Sequence, residues 1–297
     1  MRNAFIEELV NLAANNDRVA LIVGDLGYSV VEPFADRFPD RFINAGVAEQ
    51  NMMGLAAGMA SEGYQVFVYS IANFPTFRCA EQIRNDVDYH KLSVTIVSVG
   101  GGLAYGNLGY SHHAVQDYGL VRMMPNMLIA APGDPMETRA CMHYLTSHPQ
   151  PSYLRLGKAG EPSFHKEVPK LEPGKWLKIS GIDGCTRTLL TTGATLALVK
   201  EWLTTSAYTD YALYSMPLWS MAAKFLQAEQ IAKWESVVTV EDHLADCGFG
   251  SWLRESLEST PQLMPTVSVR ALNSRVCGMV GKQSVLNGAG GLTAQGV

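Results

Sequence analysis

The sequence lacks paired cysteines, a basic cluster and a long apolar run. Its five cysteines are widely scattered and form no Cys-x-x-Cys pair, which argues against a disulfide framework and a zinc site. A net charge of −5 without a basic cluster gives no reason to expect nucleic acid as a partner. No apolar run reaches the roughly 18 residues of a membrane-spanning helix, and the first residues do not resemble a secretory leader. We therefore expect a cytoplasmic protein with neither a nucleic-acid nor a membrane partner.

Apolar strands alternate with helical stretches along the chain, which is typical of parallel sheets covered on both faces. The first part predicts strands at 19–23, 42–43, 65–69, 93–99, 127–131 and 152–155, and helices at 5–14, from 49, at 76–86 and at 136–146. The second part predicts strands at 187–192, 210–214 and 236–240, and helices at 194–204, at 224–231 and from 251. Residues 160–175 are rich in proline, glycine and charge and predict a linker.

The length of 297 residues and the hydrophobic content of 47% allow two domains, each with its own core. We place them at residues 1–165 and 175–297, on either side of the linker. The predicted fold class is α/β, with two doubly wound domains.

The most informative stretch is a short strand, a turn at Asn44 to Gly46, and a helix that begins near Glu49. The helix is dense in small residues, which predicts close approach to a neighbour: Gly54, Ala56, Ala57, Gly58 and Ala60. A carboxylate at a helix start gains from the macrodipole, and a lone glutamate there is most often solvated. The apolar neighbours Val47, Met52 and Met53 favour instead a partly desolvated carboxylate, which suits proton transfer.

This stretch, Gly46-Val-Ala-Glu49-Gln-Asn, resembles the pyrimidine-binding half of the transketolase family, and the resemblance covers nearly the whole chain. It implies thiamine diphosphate as the cofactor. It also implies that Glu49 hydrogen-bonds a ring nitrogen of the aminopyrimidine, which favours the imino tautomer that deprotonates thiazolium C2. Three later segments resemble the transketolase C-terminal domain, which serves mostly assembly: 191–195, 240–243 and 290–296.

Three apolar residues, Ile71, Phe74 and Phe77, are spaced at i, i+3 and i+6, and spacing alone favours a stripe that faces the core. The resemblance implies instead that they wall the aminopyrimidine pocket, with an aromatic face against the ring. Ile71 stands where many members have an aromatic residue. Asp25 matches an aspartate that lines the cofactor site.

The segment 100–116 contains His112, which considered alone is a solvated or capping loop histidine. In the family, the histidine that matches His112 reaches the substrate carbonyl as an acid, a base or a hydrogen-bond donor. The same segment departs from the family at Leu108, where many members have an aspartate, and at Gly100, where many sugar transketolases have a histidine. Without these two side chains the site lacks two hydrogen bonds to substrate hydroxyls, each contributing about 1.5–3 kcal/mol. The departure predicts a specialised substrate.

Residues for an anionic substrate group follow from the same resemblance. Arg2, Ser29 and Lys158 match phosphate-binding positions of sugar transketolases, and Arg78 matches a position near the substrate. A solvated terminal arginine is an equally good interpretation of Arg2. Lys158 replaces an arginine, so that a point charge stands in place of a bidentate fork.

The chain lacks a Gly-Asp-Gly segment followed about thirty residues later by an asparagine pair, which in the family holds the diphosphate and a divalent metal. The resemblance therefore implies a split enzyme, in which a separate subunit supplies the diphosphate-binding domain and the Mg²⁺ ligands. The expected assembly is a heterotetramer with a homodimeric core and a large apolar interface.

The predicted function is that of one subunit of a thiamine-diphosphate-dependent transferase. It would move a two-carbon ketol or acyl unit from a ketose or 2-oxoacid donor to an aldehyde or keto-sugar acceptor. Two alternatives stay open at this point: the beta subunit of a 2-oxoacid dehydrogenase-type complex, and a non-catalytic regulatory homologue.

Overall fold

The structure is a computed structural model that describes residues 1–158, 160–182, 184–258 and 265–294. The first half contains six strands: β1 (Val19–Val23), β2 (Phe42–Asn44), β3 (Gln65–Ile71), β4 (Val94–Val99), β5 (Leu128–Ala130) and β6 (Ser152–Leu156). Its helices are α1 (Arg2–Asn15), α2 (Glu32–Arg37), α3 (Glu49–Ser61), α4 (Phe74–Phe77), α5 (Ala80–Gln82), α6 (Asp117–Val121) and α7 (Pro135–Ser147). Within the described ranges, no helix is long and apolar enough to cross a membrane.

The second half contains the strands β7 (Leu177–Ser180), β8 (Arg187–Thr191), β9 (Tyr211–Ser215), β10 (Leu218–Ser220), β11 (Ser236–Leu244) and β12 (Thr266–Leu272). Its helices are α8 (Thr195–Trp202), α9 (Gln227–Ile231), α10 (Phe249–Glu255) and α11 (Gln283–Ala289). The α/β class with parallel sheets is therefore confirmed. Of the segment 290–296, which resembles the family's last motif, residues 295 and 296 lie outside the described ranges.

The first sheet has seven strands in the order β10-β5-β6-β4-β3-β1-β2, and its first six strands in the chain pair in parallel. Strands β1 and β4 are buried along their whole length. Helices cover both faces of such a sheet, which is why these strands are continuous apolar runs in the sequence. The second sheet has the order β12-β11-β8-β9-β7, with only β7 antiparallel.

The predicted helix at 76–86 is wrong as a single element. The chain forms α4, breaks at Cys79, whose backbone is not helical, and continues as α5 and a π-helix from Ile83 to Asp88. Asp88 then anchors the end of this segment, because its carboxylate accepts a hydrogen bond from the Asn126 backbone N–H at 3.0 Å. This interrupted segment places Phe74, Phe77 and Arg78 at the edge of the site described below.

The two halves share structure at their junction. Strand β10, which follows the linker in sequence, pairs antiparallel with β5 at the edge of the first sheet. Beside it Trp219 packs against Tyr118 of the first half, with ring centroids 5.1 Å apart, and against Phe249 of the second half at 5.3 Å. The boundaries at 165 and 175 stay a prediction.

The predicted linker carries no helix or strand in its described residues 160–175. It is nevertheless fixed to α7. The carboxylate of Asp134, which caps α7 by accepting from the Glu137 N–H, also accepts from the backbone N–H of Phe164 at 2.7 Å. His165 contacts Glu137 through Nε2 at 3.1 Å. The linker therefore follows a defined path along the first domain.

Candidate active site

The turn between β2 and α3 sets the position of Glu49. The side chain of Asn44, the last residue of β2, accepts hydrogen bonds from the backbone N–H groups of Asp25 at 3.1 Å and Gly46 at 3.0 Å. Gly46 has a φ of +71°, a conformation that glycine adopts without the strain a Cβ would add. The chain then enters α3 with Glu49 as its first residue.

Glu49 is buried, with 4% of its surface exposed, as the sequence predicts. Met52 and Met53, three and four residues further along α3, are fully buried as well. Val47 is instead 74% exposed, so that part of the predicted neighbourhood is wrong. Val47 lies before the N-cap residue Ala48 and is therefore not part of α3.

Helix α3 buries only part of its small residues within this chain, and its close approach to a neighbour stays a prediction. Ala56, Ala57 and Ala60 face the protein core, whereas Gly54 and Gly58 are exposed, and a Cβ added at either glycine would have no atom within 4 Å. The helix thus packs on the sheet through its alanines and leaves its glycines outward.

Arg78 links Glu49 to the aromatic wall. Its Nη1 donates to Oε1 of Glu49 at 2.7 Å, and its guanidinium lies 4.0 Å from the centroid of the Phe74 ring. The Phe74 ring in turn contacts the ring of His112 edge to face, at a centroid distance of 5.2 Å. Four predicted site residues, Glu49, Arg78, Phe74 and His112, are therefore joined by direct contacts.

The predicted core-facing stripe is wrong. Phe77 is 47% exposed, and Ile71 and Phe74 are only half-buried, so none of the three lies in the core. Ile71 ends β3, whereas Phe74 and Phe77 belong to the short helix α4, and Phe74 contacts Arg78, the partner of Glu49. Phe77 is the more exposed of the two aromatic rings, whereas the Arg78 guanidinium lies over the ring of Phe74. Their role as the wall of an aminopyrimidine pocket stays a prediction.

The loop that carries His112 is fastened from the side of α4. The side-chain Nδ2 of Asn73 donates to the carbonyl oxygens of Ser111 at 3.3 Å and His113 at 2.8 Å, on either side of His112. Partial burial lowers the pKa of His112, and the charge of Arg78 lowers it further. Asn73 was missed by sequence reasoning, because nothing local to it indicates a contact with residues 38 to 40 positions away.

A second group of contacts surrounds Tyr105, which sequence reasoning also missed. The ammonium of Lys158 lies 4.7 Å from the centroid of the Tyr105 ring, and the His112 ring lies 6.4 Å from it. The guanidinium of Arg2 lies near the hydroxyl of Tyr69, a neighbour of Tyr105. Burial raises the pKa of Tyr69 to about 12, and the charge of Arg2 opposes that rise. Arg2 and Lys158 thus both lie near the tyrosines of this group.

Asp25 and Ser29 belong to a separate loop after β1. Asp25 accepts hydrogen bonds from Nδ2 of Asn44 at 3.0 Å and from the Tyr28 hydroxyl at 3.2 Å. The Ser29 backbone N–H donates to Oε1 of Glu32 at 2.7 Å, and Ser29 has a φ of +64°. Ser29 lines a cleft of about 470 Å³ along α1, whereas Lys158 lines one of about 530 Å³ between the domains. The described structure therefore places these two predicted anion-binding residues in different clefts.

The two positions at which the sequence departs from the family differ in their surroundings. Leu108 is 52% exposed on the loop. Gly100 has a φ of +82°, and a Cβ there would lie 2.1 Å from Cε2 of Tyr105. The absence of a side chain at Gly100 is thus coupled to the presence of the Tyr105 ring.

A buried ionic cluster holds the base of the loop and joins the domains. Arg155, at 2% exposure, donates through Nε to Asp117 at 2.7 Å and through Nη1 to Asp242 of the second domain at 2.5 Å. Its Nη2 donates to the carbonyl oxygen of Ala114 at 2.7 Å, two residues beyond His112. Its guanidinium also lies 4.4 Å from the centroid of the Tyr118 ring. Both carboxylates pair with the one guanidinium, which offsets part of the cost of burying them, although Oδ2 of Asp242 has no hydrogen-bond partner among the described residues.

The neighbouring Glu241 is buried as well and accepts from the backbone N–H groups of Phe249 at 2.6 Å and Gly250 at 2.9 Å, at the start of α10. Burial raises the pKa of Glu241 to about 8, against the opposing effect of these hydrogen bonds. The segment 240–243 therefore has a structural role, which is to tie β11 to α10 and to Arg155.

Comparison with known proteins shows the family to which the chain belongs. Residues 1–160 match the family model of the transketolase pyrimidine-binding domain. One subunit of an apulose-4-phosphate transketolase from Phocaeicola vulgatus is 30% identical over 266 residues, covering 88% of this chain and 84% of that protein. A 6-deoxy-6-sulfo-D-fructose transketolase subunit from a Clostridium species is 29% identical over 302 residues, covering 99% and 91%.

Among solved structures, a split-gene transketolase described as an inactive beta4 tetramer superimposes with a TM-score of 0.84 at 32% identity, covering 99% of this chain and 93% of that one. The matched regions extend through both halves of the chain. The chain belongs to the transketolase family, in which it corresponds to the half that carries the pyrimidine-binding and C-terminal domains.

Proposed function

We propose that the chain is one subunit of a split, thiamine-diphosphate-dependent transketolase that transfers a two-carbon unit between anionic sugars. The observation that carries the proposal is the contact series Glu49–Arg78–Phe74–His112, which joins a buried carboxylate, a guanidinium, an aromatic ring and a loop histidine. Two relatives, one named as a transketolase subunit and the other as a split-gene transketolase, support a separate partner. That partner would supply the diphosphate-binding domain and the Mg²⁺ ligands, in a heterotetramer.

The residues present fit the pyrimidine end of the cofactor. Among the described residues, Arg78 is the sole hydrogen-bond donor to Glu49, so the carboxylate keeps acceptor capacity for a ring nitrogen. Phe74 and Phe77, with Ile71, offer a partly exposed apolar wall at the same edge. Asp25 lies at the ends of β1 and β2, beside the turn that leads to Glu49.

When bound, thiamine diphosphate supplies the carbon nucleophile at thiazolium C2. Glu49 holds a proton at the aminopyrimidine ring nitrogen and lets it shift as the exocyclic amine changes its protonation state. His112, kept neutral by its lowered pKa, hydrogen-bonds the substrate carbonyl oxygen and exchanges a proton with it. Lys158, Arg2 and Arg78 hold the anionic group of the substrate, whereas Ser29 lines a separate cleft.

The substrate class follows from the loop and the relatives. Gly100 and Leu108 leave out two hydroxyl-reading side chains of ordinary sugar transketolases, while Lys158 keeps a cation. The relatives are named for apulose 4-phosphate and for 6-deoxy-6-sulfo-D-fructose, one a phosphate and the other a sulfonate. We infer a specialised pathway in which the substrate is a modified ketose with an anionic terminus.

The test is co-expression with the product of the adjacent gene, followed by calorimetric titration of the complex with thiamine diphosphate and Mg²⁺. We expect the complex to bind the cofactor, this chain alone to bind it at least about 100-fold more weakly, and Glu49→Gln to lower kcat by about 10²–10⁴-fold. Glu167→Gln, at an exposed linker residue, is the matched control and keeps full turnover.

A complex that forms without binding the cofactor would favour a non-catalytic regulatory homologue. Cofactor binding with reductive acyl transfer to lipoamide, but no ketol transfer to an aldehyde, would identify a 2-oxoacid dehydrogenase-type subunit instead.

A further inference from the structure

The ring of Tyr105 lies between two groups with different tasks. One face is 4.7 Å from Nζ of Lys158, which the proposed function assigns to the anionic end of the substrate. The ring of His112, assigned to the reacting carbonyl, meets it at a centroid distance of 6.4 Å and an interplanar angle of 73°. A substrate that reaches from His112 to Lys158 therefore passes the phenol of Tyr105.

The position of this ring is fixed by the backbone beneath it. At Gly100 a Cβ would lie 2.1 Å from Cε2 and 2.2 Å from Cδ2 of Tyr105, which is closer than any real contact. Gly100 also has a φ of +82°, which disfavours other residues. Gly100 and Tyr105 form a matched pair, in which the first residue gives up its side chain and the second occupies the space.

The hydroxyl of Tyr105 is left for a ligand. Tyr105 is half-buried, and no residue in the described ranges hydrogen-bonds its hydroxyl. By contrast, the buried hydroxyl of Tyr153 donates to Asp117 at 2.6 Å, and that of Tyr110 in the same loop donates to Gln116 at 3.1 Å. A phenol hydroxyl both donates and accepts, which matches an alcohol on a substrate.

We propose that Tyr105 is a specificity-determining residue whose hydroxyl hydrogen-bonds a substrate hydroxyl between the carbonyl carbon and the anionic terminus. This inference rests on the proposed function and deepens it. It assigns the substrate to ketoses that carry at least one free hydroxyl between these two ends. It also gives the loop a reader of hydroxyls although Leu108 and Gly100 cannot serve as one.

The experiment compares two donors in the complex with the diphosphate-binding subunit, with glycolaldehyde as acceptor. One donor is β-hydroxypyruvate, which has no remote hydroxyl. The other is the best substrate among xylulose 5-phosphate, fructose 6-phosphate and 6-deoxy-6-sulfofructose. Tyr105→Phe keeps the ring beside Lys158. It is expected to lower kcat/KM for the ketose by about 10-fold and to keep kcat/KM for β-hydroxypyruvate within about 2-fold of the wild-type value.

Two further variants frame this comparison. Gly100→Ala is expected to displace the ring and to give the same selective loss with the ketose donor. Tyr144→Phe is the matched control, since Tyr144 is also half-buried but stacks on His148, the C-cap of α7, at 4.3 Å. It is expected to leave kcat/KM unchanged for both donors.

The outcomes separate the two levels of the inference. Equal losses of kcat/KM with both donors in Tyr105→Phe would show that Tyr105 only positions His112. No loss with either donor would show that its hydroxyl makes no hydrogen bond to the substrate. Either result overturns this inference but leaves the proposed function standing. Wild-type turnover of β-hydroxypyruvate but of none of the ketoses overturns it as well. Turnover of no donor at all overturns the proposed function, and this inference with it.

Discussion

Arg78 donates from Nη1 to Oε1 of Glu49 at 2.7 Å, and this ion pair joins a 45% exposed side chain to a 4% exposed one. The buried partner cannot exchange its hydrogen bond for water, whereas the exposed partner can. The pair is therefore asymmetric: Glu49 depends on Arg78 more than Arg78 depends on Glu49.

The first prediction concerns this asymmetry. Arg78→Met is expected to lower the free energy of unfolding of this chain by about 1–3 kcal/mol, because it leaves a buried carboxylate without its donor. Adding Glu49→Gln to Arg78→Met is expected to restore part of that loss, because the uncompensated charge is then gone. Urea denaturation of the single and double variants measures both effects.

The control for this cycle is Arg84→Met, since Arg84 is 68% exposed and lies 3.9 Å from the equally exposed Glu81. It is expected to change the free energy of unfolding by less than about 0.5 kcal/mol. Equal effects of Arg78→Met and Arg84→Met would contradict the burial argument.

The second prediction concerns the pH dependence of turnover. Burial and then the charge of Arg78 lower the pKa of His112 from 6.5, so its imidazole takes up a proton at a lower pH than a free histidine does. If neutral His112 is the active form, kcat/KM falls as the pH is lowered below 6.5. Arg78→Met removes one cause of the lowered pKa. It is therefore expected to shift the acidic limb of the pH profile, the range in which kcat/KM falls as the pH is lowered, to higher pH, toward 6.5.

A pH profile of kcat/KM for the assembled enzyme measures this limb, and Arg84→Met is expected to leave it in place. A limb above pH 6.5 in the wild type, or one that stays fixed in Arg78→Met, would contradict the assignment of the limb to His112.

The third prediction concerns the buried cluster at the domain junction. Arg155→Met leaves the carboxylates of Asp117 and Asp242 buried without their counter-charge, which is expected to cost about 3–5 kcal/mol of the free energy of unfolding. Because Arg155 also holds the Ala114 carbonyl, amide hydrogen exchange is expected to accelerate in the segment 100–116.

Arg139→Met serves as the comparison, since Arg139 pairs with Glu7 and Glu8 but is 26% exposed. It is expected to cost less than about 1 kcal/mol and to leave exchange in the segment 100–116 unchanged. A cost of similar size for both variants would argue against a special role of the junction.

The fourth prediction concerns acid stability. Partial burial alone would raise the pKa of Glu255, but hydrogen bonds from Arg122 of the first half and from Lys224 outweigh it and lower that pKa from 4.5 to about 2. A carboxyl with a depressed folded pKa contributes stability that is complete above 4.5 and is lost as the pH falls toward 2. The difference in free energy of unfolding between wild type and Glu255→Gln is therefore expected to shrink between pH 6 and pH 3.

Urea denaturation at pH 6, 4.5 and 3 measures this difference. Glu258→Gln, at an exposed residue that follows α10, is the control and is expected to show no such trend. A difference that grows as the pH falls would have the wrong sign and would contradict the ion-pair explanation.

The elements that the sequence predicts well are those with a local cause. Strands β1 and β4 are recognisable because each is buried on both faces and is therefore apolar throughout. The burial of Glu49 is foreseeable from Met52 and Met53, which lie one turn away on the same helix. The three-residue strand β10 has too little pattern to be found in this way.

The site residues that sequence reasoning missed are defined by contacts between distant positions. Asn73 matters because it donates hydrogen bonds to two carbonyl oxygens of a loop 38 and 40 residues later. Arg155 matters because it pairs with Asp242, which is 87 residues away. Tyr105 is an ordinary loop aromatic in the sequence, and its importance depends on the missing side chain at Gly100 and on Lys158. None of these relationships leaves a periodic or compositional signal.

The antiparallel pairing of β10 with β5 has a consequence for how the chain is made. During synthesis the first sheet cannot be completed until the ribosome has passed Ser220, well beyond the linker. Until then β5 is an open edge with unpaired backbone groups, the kind of surface on which strands from other molecules add. A fragment that stops at residue 165 would retain that open edge permanently, so it is expected to aggregate under conditions in which the complete chain does not.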